Sequence, residues 1–274
     1  MPDILTAELR GERFTLRART KEQETFWTSL DAGWEEETLA FVEAHAAPGR
    51  VFVDIGAWIG PISLLAARKG ARVLALEPDP VARAALEENL ALNGLKAQIL
   101  PQALHADAGG LTLYGGRRGL GASTTSALGV SKGDPVHVDT VTAEDVAALA
   151  GDAPAFMKVD VEGHEYALGP ALAALRARLG GQKDAPEAGA ALHLSLHPRQ
   201  LLKKLRKDWT LFARRRSLEA TQALLAQFDG CAMTVSGEGA ALTPEALEER
   251  FKGARGARNF SVEITGGGTA GAAA

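Results

Sequence analysis

The stretch Val51-Phe52-Val53-Asp54-Ile55-Gly56-Ala57-Trp58-Ile59-Gly60 decides the reading of this chain. Val51 to Ile55, apolar except for Asp54, predicts a strand, and Ile59 to Lys69 predicts a helix that ends at Gly70. The turn between them, with Gly56 and Gly60, lies where open α/β sheets bind ligands, at the carboxyl ends of strands. Glycine at such a turn lets a ligand approach the backbone. The dinucleotide fingerprint needs glycine at its first, third and sixth positions, which from Gly56 onward are Gly56, Trp58 and Pro61. That mismatch weighs against a nicotinamide-dependent oxidoreductase, the alternative enzyme class. The residues form acid-x-Gly-x-x-x-Gly instead, and Glu77 follows at the end of a second predicted strand, Arg72 to Leu76. A carboxylate there can accept hydrogen bonds from both ribose hydroxyls, while nothing in the turn is built to cradle a phosphate.

Outward from this motif, short apolar runs alternate with helical stretches, the signature of βαβ units and a mostly parallel sheet. Pro80 to Leu92 predicts a helix opened by proline and closed near Gly94, and Ala97 to Leu100 a third strand. Further strands are expected at Leu111–Tyr114, Phe156–Val159, Ala191–Leu196, Cys231–Val235 and Asn259–Ile264. Upstream, residues 4–17 alternate around Arg10-Gly11 as a hairpin would, and Thr25 to Ala46 has helical spacing, like a lid on the core. Gly115 to Asp134 and Gly180 to Gly189 read as surface loops. These features predict one domain over residues 1–264, with 1–48 as a hairpin and helical extension, 49–264 as the core, and 265–274 as a disordered tail.

A second motif, Met157-Lys158-Val159-Asp160-Val161-Glu162-Gly163-His164-Glu165, follows a predicted strand and precedes a helical run, Tyr166 to Leu179. Lys158 and Asp160 point to one side of that strand, and Glu162, His164 and Glu165 fall in the turn beyond it. Such a density of ionisable groups is costly to bury without purpose; the plainer reading is a solvated loop before a helix N-terminus that favours acids.

Taken in order, DIGAWIG, LEPDP and KVDVEGHE resemble the FkbM family of S-adenosylmethionine-dependent methyltransferases, over roughly Trp34 to His197. The resemblance implies an α/β, Rossmann-like class I methyltransferase fold, a mostly parallel sheet with helices on both faces. It also implies S-adenosyl-L-methionine as cofactor and O-methylation of a small molecule or glycan. Asp54, Gly56, Ala57, Trp58 and Gly60 are then cofactor-binding through the first motif, as are Glu77 with Pro78, Ala103 beside the adenine, and Asp160 and Glu162. S-adenosylmethionine has a ribose and no phosphate, in keeping with the failed dinucleotide pattern. Two departures stand out: the family usually has asparagine where this chain has Trp58, and an acid where Ser195 precedes Leu196-His197-Pro198.

Methyl transfer to an alcohol needs alignment and removal of the hydroxyl proton. His164 and His197 are the preferred candidates for the base, with Asp160 or Glu165 to orient it. Asp160, Glu162, His164 and Glu165 also offer hard metal ligands, but spacing alone does not define a site and no metal is expected. His45, His105, His137 and His193 read as structural.

With 274 residues, 46% hydrophobic, 23% charged and a net charge of -4, the composition is that of an ordinary soluble protein and points to no nucleic-acid partner. The single Cys231 excludes an intramolecular disulfide, and the first residues lack a long apolar run, so a cytoplasmic setting is expected. Arg199 to Arg216 reads as a basic amphipathic helix with Leu201, Leu202, Leu205, Trp209 and Phe212 on one face. Such a helix covers a core in most proteins; the alternative is a non-catalytic binding module or a basic face that meets an anionic acceptor or a membrane surface.

Overall fold

The computed structural model describes residues 4–30, 33–116, 119–130, 133, 135–179, 190–252 and 258–266. Strands β1 (Ile4–Leu9) and β2 (Glu12–Arg17) form the expected antiparallel hairpin, turned at Arg10 and Gly11, both at positive φ. The helix expected over Thr25–Ala46 is instead two, α1 (Lys21–Thr28) and α2 (Glu36–His45). Thr20 caps α1 by accepting from the Gln23 N–H, and Glu35, at φ 46°, turns the chain into α2. Apolar residues keep their spacing through the break, so periodicity alone conceals it.

The core then alternates as predicted: β3 (Val51–Ile55), α3 (Pro61–Arg68), β4 (Arg72–Leu76), α4 (Pro80–Leu92) and β5 (Ala97–Leu100). Helix α3 starts later than expected because Gly60 takes φ 91° and Pro61 opens the helix. Two small sheets come next, built from β6 (Ala103–Leu104), β7 (Leu111–Tyr114), β8 (Pro135–Val138) and β9 (Thr140–Val141). The chain continues through α5 (Ala143–Ala150), β10 (Ala155–Val159), α6 (Glu165–Leu179), β11 (Ala191–Leu196) and α7 (Pro198–Lys207). It ends in α8 (Ala213–Leu225), β12 (Ala232–Val235), α9 (Pro244–Phe251) and β13 (Phe260–Thr265). Thr265 pairs with Ala232 and so belongs to the sheet rather than to a tail. Residues 267–274 and the loop expected at 180–189 lie outside the described residues.

The central sheet has seven strands in the order β12-β13-β11-β10-β3-β4-β5. Its neighbours pair in parallel except at β13, which is antiparallel to both β11 and β12. Numbered within the sheet, the order is 3-2-1-4-5-7-6, the doubly wound 3-2-1-4-5-6 arrangement with a reversed last strand inserted. This is the class I methyltransferase form of the Rossmann-like fold. Val51, Val53 and Ile55 pack into one apolar cluster with α5, α6, α8 and α9, whereas Phe52 joins the other with α2, α3 and α4. Burial on both faces explains why β3 and β10 are apolar at successive positions rather than at alternate ones, broken only by Asp54 and Lys158.

The expected helix over Arg199–Arg216 is broken. Leu201 and Leu202 of α7 are buried, but Trp209 (φ 55°) and Phe212 (φ 57°) lie in a left-handed corner before α8 and are exposed. Among the described residues, no helix is long and apolar enough to cross a membrane.

Candidate active site

Strands β3 and β10 are in register, Asp54 opposite Lys158 and Ile55 opposite Val159, so their outgoing turns meet at the same sheet edge. The contact is direct. Gly56 has φ 83°, and a Cβ there would stand 2.0 Å from the Asp160 carbonyl oxygen. The turn of the second motif reverses sharply through Glu162 (φ 52°) and Gly163 (φ 100°).

Beside this contact is a cavity. Gly56, Trp58, Glu77, Pro78 and Ala103 line one side, and Asp160, Glu162 and His164 the other. Glu77 is buried: its Oε2 accepts from the Trp58 N–H (2.7 Å) and its Oε1 from the Asp79 N–H (2.8 Å). An ionised carboxylate has about four acceptor positions, so about two are left, as a ribose diol requires. Burial pushes the Glu77 carboxyl up to about 7, against the lowering effect of those backbone donors. Pro78, Ala103 and Leu104 supply an apolar surface for a flat base, and His164 Nε2 is buried without a partner. These features fit S-adenosylmethionine.

Part of the segment read as a surface loop, Ala122 to Ala127, forms a wall of this cavity instead. Asp79, whose Oδ1 accepts from the Val81 N–H at the start of α4, uses its Oδ2 to accept from the Gly121 N–H (2.6 Å) and the Thr125 hydroxyl (2.9 Å). Trp58 adds a third tether, its indole N–H donating to the Gly121 carbonyl (3.0 Å). The tryptophan that departs from the family pattern is thus at φ 51° and holds the wall in place. An acid just before Pro80 signals a helix cap in the sequence; its grip on a loop more than forty residues away has no sequence signal.

Several expected cofactor contacts lie elsewhere. Asp54 is fully buried, accepts from the Ser63 hydroxyl (2.7 Å) and pairs with Lys158 (3.3 Å), so it braces the turn from behind. Gly60 does not line the cavity; a Cβ there would meet Leu86 Cδ1 at 2.4 Å, so its role is close packing of α3 on α4. Ala57 faces a neighbouring open groove. His164 is stacked on His105 (5.8 Å) in the cavity wall, and burial followed by that neighbour lowers its pKa to about 4.

On the other side of Asp160 and Glu162 an open groove begins, bounded by Phe26, Trp34, Glu35, Ser195, His197 and Ser236. His197 binds three carboxylates: Nδ1 to Glu165 (3.2 Å), and Nε2 to Asp160 (3.4 Å) and Glu162 (3.9 Å). Burial alone would lower the His197 pKa, but these carboxylates outweigh it and push it up to about 10. Glu165 lines neither space. It accepts from the Gly163 and His197 backbone N–H groups (2.8 and 2.7 Å), joining the second motif to the start of α7. Asp160, Glu162 and His197 bring ligand atoms within 4.8 Å of one another, a set that can hold a divalent ion when His197 is neutral. Glu35, absent from the sequence-based candidates, is bonded to Thr38 (2.6 Å), and burial followed by the Asp160 charge raises its pKa.

Comparison with known proteins adds the family. Residues 54–177 match the model of the methyltransferase FkbM domain. A search of curated proteins finds no significant match. Among solved structures, the T. thermophilus 16S rRNA N2 G1207 methyltransferase (RsmC), in complex with AdoMet and guanosine, aligns over 96% of this chain with 17% identity and a TM-score of 0.44. This chain spans 50% of that one. Precorrin-6y C5,15-methyltransferase from Geobacter metallireducens aligns with 13% identity and a TM-score of 0.41, over 93% of this chain and 94% of that one. A SAM-dependent methyltransferase from Agrobacterium tumefaciens does so with 14% identity and a TM-score of 0.43, over 97% and 70%. Over residues 54–177 the chain thus matches the methyltransferase FkbM domain, which together with the doubly wound sheet marks an S-adenosylmethionine-dependent methyltransferase core.

Proposed function

We propose that the chain methylates a hydroxyl group of a small polyhydroxylated molecule or glycan. The observation that carries this reading is the position of Asp160 and Glu162, which line both the cavity beside Glu77 and the open groove. A ligand whose ribose rests on Glu77 leaves its reactive end beside them. S-adenosylmethionine supplies a methyl group on a sulfonium, already activated for in-line displacement. The protein's residues then align the acceptor oxygen and receive its proton as the new O–C bond forms and the C–S bond breaks.

His197, held protonated by its three carboxylates at neutral pH, does not take that proton. Its imidazolium fixes Asp160 and Glu162, and the carboxylate of Asp160, partly open to the groove, accepts the hydroxyl hydrogen. His164, in the cavity wall, faces the cofactor rather than the acceptor.

The groove also favours a neutral sugar-like acceptor over a nucleic acid. Phe26 packs edge-on against Trp34 (5.0 Å), giving an apolar wall for a sugar ring face. Acids outnumber cations around it: Glu35, Glu37, Asp160, Glu162 and Glu238 stand against Arg250, which is paired with Glu238, and His197. A phosphate backbone gains affinity from cations and loses it here. The test is release of S-adenosylhomocysteine with a panel of neutral polyols and glycosides, beside short RNAs. Turnover on a polyol or glycoside is expected; turnover on RNA alone contradicts the proposal.

A further inference from the structure

The corner between α7 and α8 exposes Trp209 at 91%, Leu211 at 78% and Phe212 at 80%, the highest values for large apolar side chains among the described residues. Water exposure of three such neighbours is unfavourable, and clusters of this kind mark contact surfaces. The surrounding charge is equally lopsided. Between Arg199 and Arg216 there are eight lysines and arginines against one acid, Asp208, in a chain whose net charge is -4. Lys204 pairs with Asp208 (3.1 Å), and Arg215 and Arg216 share Glu219 (2.8 and 3.2 Å). These pairs are at the surface, where they contribute little and exchange partners readily.

We propose that this corner docks the protein on an anionic membrane surface. Trp209, Leu211 and Phe212 enter the boundary between headgroups and acyl chains, and the cations around them meet the lipid phosphates and carboxylates. Tryptophan favours that boundary because its ring is apolar and its N–H stays wet. Nucleic acid would also suit the cations, and Trp209 could stack on a base. Leu211, exposed between Trp209 and Phe212, has no such use, whereas a bilayer takes up all three side chains together. Helix α7 begins next to His197, and its Gln200 donates to Glu162 Oε2 (3.1 Å). Ten residues at 1.5 Å each make α7 about 15 Å long, so docking brings the groove within about one helix length of the bilayer.

The experiment is cosedimentation of the full chain with vesicles of phosphatidylcholine alone, or of phosphatidylcholine with phosphatidylserine, at low and high salt. Binding to the anionic vesicles only, weakened by salt and accompanied by a blue shift of Trp209 emission, is expected. The variant Trp209→Ser/Leu211→Ser/Phe212→Ser should lose at least about tenfold in partitioning, since each apolar side chain contributes to insertion. These side chains are exposed, so the thermal midpoint and S-adenosylhomocysteine affinity should stay as in the parent chain. Absence of the protein from the anionic vesicle pellet overturns the proposal, as does pelleting that the triple variant leaves unchanged. Binding of a single-stranded RNA that the triple variant abolishes, with no vesicle binding, assigns the corner to nucleic acid instead.

Discussion

Replacing Asp160 with asparagine should lower turnover by about 10²- to 10⁴-fold, the usual worth of a positioned proton acceptor. That is roughly 3 to 5 kcal/mol of barrier. Asparagine keeps the shape of the side chain but does not accept a proton, so S-adenosylhomocysteine affinity should change little. His197 keeps Glu165 and Glu162 as partners, and the fold should survive. The readout is the rate of S-adenosylhomocysteine release with the acceptor that the panel identifies. A loss confined to turnover supports Asp160 as the proton acceptor. Full turnover in Asp160→Asn assigns the proton elsewhere, with Glu162 next in position; its pKa is raised by burial and by the Asp160 charge, against the lowering effect of His197.

Gly56→Ala is expected to destabilise the protein by about 3 kcal/mol or more, combining overpacking with a left-handed backbone that alanine resists. The added methyl would overlap the Asp160 carbonyl, a backbone atom held in place by the pairing of β3 with β10. Gly94→Ala is the control: Gly94 also has positive φ (64°), but nothing lies within 4 Å of its would-be Cβ. That variant should cost about 1 kcal/mol, from backbone strain alone. Urea midpoints at constant slope measure both. Equal costs at the two sites would mean that the first and second motifs are not in contact.

The sheet was legible because its central strands are short apolar runs buried on both sides, the first of them stopped at Gly56, and because Gly70 and Pro80 punctuate the helices between them. Glu77 was legible for the same reason, as the acid at a strand end. Three things were not. Asp54 is a typical first-motif acid, yet its partner Lys158 is 104 residues away, and only the strand register shows that the two neutralise each other. The preference for His164 and His197 as bases rested on the ordinary pKa of imidazole. The fold reverses that premise at both sites, burying His164 as a neutral ring and surrounding His197 with carboxylates. The breaks at Glu35 and at Trp209 to Phe212 depend on left-handed residues that are neither glycine nor asparagine, which local propensity does not flag.

The central claim is that the cavity at the carboxyl ends of β3, β4 and β10 holds a phosphate-free nucleoside ligand on Glu77. Calorimetric titration tests it most directly, with S-adenosylhomocysteine and NAD each added to the parent chain and to Glu77→Ala. The account predicts one-to-one binding of S-adenosylhomocysteine and no heat from NAD. The loss in Glu77→Ala should be about 1.5 to 3 kcal/mol, the range for hydrogen bonds to a charged group. Affinity for the parent chain should also rise with pH through about 7, where the Glu77 carboxyl loses its proton, because the ionised form is the better acceptor of two hydroxyls. Tight binding of NAD without binding of S-adenosylhomocysteine, or S-adenosylhomocysteine affinity unaltered in a folded Glu77→Ala, would contradict it.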